Sequence, residues 1–327
     1  MPKSLSTDIL IIGAGLAGLS AAVELQKAGK QVLVVDKGRG LGGRLAGRRI
    51  GDATFDHGAQ FMTARDERFK AVVAEWIRLG VAAEWYSSYP GGEDCHPRYR
   101  GVPTMTAIAK HLAQDIDVMR TVRAVRLAQQ GNHWHVELDT GDSLQAKALL
   151  ITAPIPQTLD LLHSGAVPIT EEMQTRLARI TYESCIAVMA VLDQPSALAK
   201  PGAMAFSDGP IAWISDNQQK GVSAVPAVTI HGSGSFSAAH FDQDRHAVGQ
   251  QLIDAAQPLL GANVVEFQVQ GWRYSKPDVV DSARCIVLSD NTTLPPLALA
   301  GDAFAGPRFE GAVLSGWAAA AALEPLI

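Results

Sequence analysis

The chain has 327 residues, 47% of them hydrophobic and 19% charged, with a formal net charge of −5 at pH 7. That length is enough for two domains with their own cores. The mildly acidic balance gives no global attraction to nucleic acid or anionic lipid, and no apolar run is long enough to span a bilayer. Cys95, Cys185 and Cys285 are far apart and form no CxxC pair, which suits a reducing compartment and argues against a disulfide framework or a metal site. The expectation is a soluble cytoplasmic protein that binds neither nucleic acid, membrane nor metal.

The apolar start resembles a signal peptide in hydropathy, but Asp8 and three glycines suit a nucleotide-binding strand better. Ile9 to Ile12 reads as a buried strand that runs through Gly13-Ala14-Gly15-Leu16-Ala17-Gly18 into a helix over Leu19 to Gln26. Gly13 is expected to make the tight turn, Gly15 to let the backbone approach a pyrophosphate, and Gly18 to let the helix pack on the strand. The N–H groups and positive end of that helix suit phosphate charge. A second strand, Gln31 to Val35, ends in Asp36, about 20 residues past the glycines, where a carboxylate accepts hydrogen bonds from a ribose. Strand, glycine turn, helix, strand and acid together point to a dinucleotide.

Lys37-Gly38-Arg39-Gly40-Leu41-Gly42-Gly43-Arg44 is too rich in glycine for a helix, and its basic side chains suit a second phosphate contact. The stretch is similar to the paired-glycine motif of flavoproteins with a glutathione-reductase type of FAD domain, which NAD-only dehydrogenases normally lack. Lys37, Gly43 and Arg44 become candidate contacts of a non-covalently held FAD. Further along, Asp66 to Leu79 reads as a helix with Phe69, Val72, Val73, Trp76 and Leu79 on one face. Ser87 to Pro103 reads as a loop or strand pair, and Met105 to Leu112 as a helix. Val118 to Leu127 and His133 to Leu138 read as strands around a Gly131-Asn132 turn. In this flavoprotein class such a hairpin lies near the adenine, which makes Val122 or Val125 a backbone contact. Ala148 to Thr152 is a further buried strand.

From Pro154 to Gly271 the pattern changes: helices over Gln157–Leu162, Glu171–Ile180 and Asp242–Leu260 alternate with strands over Ile186–Leu192, Ile211–Ile214 and Ala227–His231. The fold expected is α/β: a glutathione-reductase-type Rossmann domain with a discontinuous α+β substrate domain. Its boundaries are 1–65, 101–155 and 272–327 for the FAD domain, and 66–100 and 156–271 for the substrate domain. Near the end, Gly301-Asp302 is similar to the segment with which such flavoproteins bind the ribityl chain. A helix over Gly311 to Leu323 would offer the N–H groups of Gly311, Ala312 and Val313 to the flavin.

One segment carries a closer likeness. Asp56-His57-Gly58-Ala59-Gln60-Phe61, followed by Thr63-Ala64-Arg65-Asp66, resembles the renalase family, a branch of the monoamine-oxidase-like flavoproteins. Echoes in order are Ala83-Glu84-Trp85, Gly101-Val102-Pro103, Trp213-Ile214-Ser215-Asp216-Asn217 with Lys220, Thr229-Ile230-His231, Trp272-Arg273-Tyr274-Ser275-Lys276-Pro277 and Glu310-Gly311-Ala312. The chain departs from the family at Ala303-Phe304, where members carry Trp after Gly-Asp, and at Gly271 before Trp272. The resemblance implies oxidation of isomeric dihydronicotinamide dinucleotides, the 2- and 6-dihydro forms of NAD(P)H, with O2 as acceptor giving H2O2. Such a reaction needs no protein base when the nitrogen carries no proton to lose, and orientation in a dry pocket does the protein's share.

Candidate pocket residues are His231 at a strand end, Gln60 and Phe61 after a Gly58-Ala59 step that would let the backbone lie against the flavin, and Trp272 and Tyr274. The last two alternate on a strand and could sandwich a flat ring or form a plain hydrophobic face. Trp213 reads as core. Lys276 suits either a place near the flavin or a surface or phosphate contact, and Arg65 and Arg308 suit either substrate phosphates or structural ion pairs. An amine oxidase, a carotenoid-desaturase-like enzyme and a non-catalytic FAD-binding redox module are the alternatives.

Overall fold

The computed structural model describes residues 4–87, 96–288, 294–304 and 306–327; Cys95 and the middle of the Ser87–Pro103 stretch lie outside the described residues. The chain divides into two compact units, one of Met1–Gly43, Ala109–Thr181 and Pro277–Ile327, the other of Arg44–Ile108 and Tyr182–Lys276.

The first unit is built on an eight-stranded sheet. Its order runs Ile286–Val287, Leu297–Leu299, Ser143–Ile151, Ser4–Ile12, Val32–Asp36, Asp117–Arg120, with His133–Leu138 and Ala124–Gln130 continuing from Ser143–Ile151. The central pairings are parallel, Ile9 opposite Ala148 and Val32, Ile12 opposite Ile151 and Val35. Ile9, Leu10 and Ile11 have no exposed surface, as an unbroken apolar run in a parallel strand covered on both faces requires. Helices Leu16–Lys27 and Phe309–Leu323 belong to this unit and pack on each other through small residues. Among the described residues no helix is long and apolar enough to cross a membrane.

The second unit holds a five-stranded sheet in the order Ala203–Ala205, Ile211–Asp216, Ala227–Gly232, Tyr182–Leu192, Val264–Pro277. Helix Arg245–Leu260 covers it. Val248, Leu252, Ala256 and Leu260 recur every four residues and join Ile186, Val188, Ile214, Val228 and Ile230 in one core. Burying each such Leu or Ile contributes about 1.5–3 kcal/mol. Asp66, Ser233 and Asp244 cap their helices by accepting the N–H three residues on.

The compact units divide the chain at other places than the expected domains, and several elements differ from those expected. Segments 44–65, 101–108 and 272–276 belong to the second unit, and 156–181 to the first. Strands Gly47–Ile50 and Ala53–Asp56, which periodicity does not reveal, pair with each other and pack Ile50, Ala53 and Phe55 against Met189 and Ala227. Helix Ile155–Ser164 lies on strand Ala124–Gln130, and Arg176 of the next helix forms a double hydrogen bond with Asp281. The single strand expected over Val118–Leu127 is two, Asp117–Arg120 and Ala124–Gln130, separated at Thr121, which sits at φ +60°. Leu79, expected on the buried face of its helix, is instead the C-cap and 46% exposed.

Candidate functional site

In the first unit the two glycine runs form one cradle. The strand Ser4–Ile12 ends at Gly13, at φ +117°, whose N–H donates to the Val35 carbonyl at 2.8 Å. A side chain on Gly18 would bring its first carbon 2.0 Å from the Gly13 carbonyl oxygen, so helix Leu16–Lys27 sits as close to the turn as glycine allows. At Gly15 the same position meets nothing within 4 Å, and this residue is the helix N-cap without a side-chain cap bond. Open space therefore stands beside an uncapped helix N-terminus, which suits a phosphate. Gly42 N–H donates to the Ala14 carbonyl at 2.9 Å, and Gly43 lies against Gly15, so Ala14 to Gly18 and the second run share a backbone-to-backbone wall.

Asp36 ends the second strand and is half-buried. Its carboxylate accepts the Ala14 N–H at 2.7 Å and the Gly38 N–H at 2.6 Å, which ties the two loops together. A carboxylate has about four acceptor positions, so two remain for ribose hydroxyls. Lys37 donates to the Gln157 side chain at 2.9 Å, and burial, with Arg123 nearby, lowers its pKa. Val122 N–H donates to the Asp36 carbonyl at 3.0 Å, so a backbone contact there falls to the Val122 carbonyl. Thr152, which sequence reasoning passed over, donates from Oγ1 to the Ile12 and Gly13 carbonyls at 3.1 and 3.2 Å and props the turn.

The C-terminal part of this unit adds Gly301 and Asp302. The Gly301 N–H donates to Ser315 Oγ at 2.9 Å, and Ser315 Oγ donates to the Arg284 carbonyl at 2.6 Å. This pins the turn to helix Phe309–Leu323. The helix starts two residues earlier than the sequence suggests. The Ala312 N–H donates to the Arg308 carbonyl at 3.2 Å, and Val313 lies deeper in the helix. Of the three expected donors, only Gly311 lies in the turn whose amides the helical ladder does not use. Arg308 is exposed as the N-cap.

In the second unit a buried hub forms around Asp56. Its Oδ2 takes the Lys220 ammonium at 2.8 Å, with both side chains fully buried, and its Oδ1 accepts the Met105 N–H at 2.9 Å. The Asp56 carbonyl accepts from Gln60 Nε2 at 2.7 Å and Thr229 Oγ1 at 3.0 Å, while its N–H donates to Asn217 Oδ1 at 3.3 Å. Burial lowers the pKa of Lys220, and Asp56 pulls it back up. Gln60 Oε1 accepts from Ser215 Oγ at 2.8 Å, so the Gln60 amide, proposed from sequence as a pocket group, clamps its own loop with both ends. Gly58 must lack a side chain because its first carbon would fall 2.0 Å from the Arg44 carbonyl, which also accepts the Ala59 N–H at 2.8 Å. The Arg44 guanidinium donates to the Ser275 carbonyl at 3.0 Å.

The hub fixes the next residue, His57, which the sequence reading did not single out. Its ring is buried and stacks on Trp272, with centroids 5.3 Å apart and planes at 18°. The His57 carbonyl accepts from Trp272 Nε1 at 3.1 Å and meets His231 Nε2 at 3.2 Å. A carbonyl can only accept, so His231 carries its proton on Nε2 and presents a lone pair at Nδ1. Burial pushes both rings down to about 4, with Arg48's charge adding to the effect at His57 and Lys220's at His231. Both are neutral at pH 7.

Trp272 and Tyr274 share one face of strand Val264–Pro277 while Arg273 is exposed, as alternation predicts. Each also has a ring neighbour: His57 stacks on Trp272, and Tyr182 meets Tyr274 edge-on with centroids 5.5 Å apart. Phe61 joins Trp213 at 5.6 Å, with the Arg98 guanidinium over its ring. Lys276 is exposed and lies 3.5 Å from Glu183, and Arg65 is exposed.

The two histidines give an acid-lability prediction. Unfolded rings titrate at about 6.5 and the folded ones near 4, so the unfolded state binds more protons between these values. Stability is full above about pH 6.5 and falls as pH drops toward 4, by up to about 3 kcal/mol per ring. Urea midpoints measured across this range should flatten in His231→Asn; an unchanged slope would assign the loss to other groups.

The pattern described as NAD(P)-binding Rossmann-like domain matches residues 11–76, and that of the flavin containing amine oxidoreductase family matches residues 78–323. Renalase of Mus musculus is 24% identical over 94% of this chain and 96% of its own length. The L-amino acid dehydrogenase of Synechocystis sp. is 36% identical, but over 23% of this chain and 16% of its own. A solved structure of putrescine oxidase superposes with a TM-score of 0.75 at 14% identity, covering 98% of this chain and 99% of the other.

Proposed function

Since the chain belongs to the family of flavin-containing amine oxidoreductases, we propose that it oxidises an isomeric dihydronicotinamide dinucleotide, with O2 as the final acceptor. FAD is its cofactor, and Gly13 to Gly18, Asp36, Gly43, Gly301, Asp302 and Gly311 are the residues that would hold it. Bound FAD would supply acceptance of a hydride from the carbon next to the ring nitrogen and return of the two electrons to O2 as H2O2. Non-covalent attachment is part of this reading; among the described cysteines, burial raises the Cys285 thiol and pushes Cys185 up to about 12, which favours the protonated thiols.

The observation that carries the substrate class is the neutral pair His57 and His231 beside Trp272. An amine reaches an enzyme at neutral pH as an ammonium ion and must give up a proton before it can give up hydride. Imidazoles with pKa values near 4 are weak acceptors for that proton. A dihydronicotinamide whose ring nitrogen is bonded to ribose has no such proton; its lone pair becomes part of the pyridinium as the hydride leaves. His231, with Nδ1 as an acceptor, and the Trp272 ring would orient the ring and its carboxamide while Phe61 and its aromatic neighbours keep water out. The renalase likeness, which runs the length of both chains, supports the same reading.

The test is anaerobic rapid mixing of the yellow holoprotein with 2- and 6-dihydro-NAD(P) isomers and, separately, with simple amines. Rapid loss of the flavin colour with the dihydro isomers alone is the expected result. Loss with amines instead would make the protein an amine oxidase; no loss with either would overturn the substrate class.

A further inference from the structure

Arg48 stands out among the cations of the second unit. It lies on strand Gly47–Ile50, opposite Phe55, the residue that precedes Asp56 and His57 on the partner strand of the hairpin. Its side chain is half-buried, and its guanidinium donates to Gln270 Oε1 at 3.1 Å and Gln268 Oε1 at 3.5 Å. Both acceptors are neutral amides, and among the described residues no carboxylate pairs with this arginine. Elsewhere in the protein half-exposed arginines such as Arg176 and Arg273 have an aspartate within 2.6 Å. A fork of five donors held by two amides keeps its full positive charge and several unused N–H groups.

Its location gives that charge a purpose. Gln268, Gln270 and Trp272 share one parity along strand Val264–Pro277, so Arg48 reaches the same sheet face as the Trp272 ring. The charge is also close enough to oppose protonation of the His57 ring. We infer that Arg48, oriented by Gln268 and Gln270, is an anion subsite that takes a phosphate of the substrate and sets the preference for phosphate-bearing donors over plain amines. This rests on the substrate class proposed above and adds a named recognition element to it. A guanidinium fork matches phosphate oxygens two at a time, whereas it repels an ammonium. The two glutamines hold the fork without neutralising it, and an aspartate at either place would cancel the subsite.

Two measurements on the holoprotein test this. The first is calorimetric titration with inorganic pyrophosphate of the wild type, Arg48→Gln and Arg48→Lys. Loss of one charge-assisted contact should weaken binding about 10- to 100-fold in Arg48→Gln and less in Arg48→Lys, which keeps the charge without the fork. No binding to the wild type, or equal binding to wild type and Arg48→Gln, overturns the subsite. The second is the ratio of affinities for dihydronicotinamide mononucleotide and its riboside, the same ring with and without a phosphate, read from the concentration dependence of anaerobic flavin reduction. The mononucleotide should be favoured about tenfold or more in the wild type, and the ratio should fall to near one in Arg48→Gln. A ratio that does not depend on Arg48 overturns its part in substrate recognition. If no dihydronicotinamide reduces the flavin, the substrate class falls by itself, and the pyrophosphate titration still decides the subsite.

Discussion

Lys220→Met should cost about 3–5 kcal/mol of unfolding free energy, the largest effect expected from any single side chain outside the apolar cores. The reason is asymmetric. Lys220 and Asp56 are both fully buried, and the ammonium is the cation in direct contact with the carboxylate, while Arg100 acts on it from farther off. With the ammonium gone, Asp56 keeps, among the described residues, the Met105 N–H as its side-chain donor and the more distant Arg100 charge, in a setting where a carboxylate is far from water. Adding Asp56→Asn to Lys220→Met removes the stranded charge and should recover more than half of the loss, since neutral groups of similar volume replace a buried pair at little cost. Denaturant unfolding of the two variants measures both steps. A loss below about 1 kcal/mol in Lys220→Met would mean that Asp56 takes up a proton or that water reaches it, and the hub would then not be held by charge.

The second large effect separates two glycines three residues apart. Gly18→Ala forces a carbon to within 2.0 Å of the Gly13 carbonyl, so the helix must retreat from the turn. It should cost several kcal/mol in the FAD-free protein and remove tight FAD binding, as overpacking at a rigid backbone does. Gly15→Ala meets nothing, and Gly15 has φ −78°, which alanine adopts freely. The FAD-free variant should match wild-type stability within about 0.5 kcal/mol. Yet the new methyl stands in the space that a pyrophosphate would enter, so FAD should bind at least about tenfold more weakly. Denaturation of the FAD-free proteins and quenching of FAD fluorescence on binding give the two readouts. If Gly15→Ala binds FAD like the wild type, the phosphates lie elsewhere than beside this turn.

These two cases mark how far the sequence can be read. The glycines at 13, 15 and 18 and Asp36 are legible because the features that matter lie within one turn and one strand. The same holds for the alternation of Trp272, Arg273 and Tyr274. Contacts between distant segments carry no local signal. Lys220 meets Asp56 across 164 positions, Arg48 meets Gln270 across 222, and Thr152 props Gly13 across 139. The segment Asp56 to Phe61 draws attention to Gln60, whose amide holds the loop, while the ring that stacks on Trp272 is His57. Backbone breaks are equally quiet: Thr121 interrupts an apolar alternation without any glycine or proline to announce it.

The chain threading has a consequence during synthesis. The second unit has all of its segments once residue 276 has been made, but the first unit waits for Pro277–Ile327, which supplies strand Leu297–Leu299 and helix Phe309–Leu323. Until then strand Ser143–Ile151 lacks its parallel neighbour, and the apolar face of helix Leu16–Lys27 lacks the helix that covers it. A ribosome-bound chain therefore holds every segment of the second unit while the first still lacks its third segment, for the time needed to add about 50 residues, several seconds at ordinary elongation rates. Slower translation of Pro277–Ile327 prolongs the exposure of these apolar surfaces.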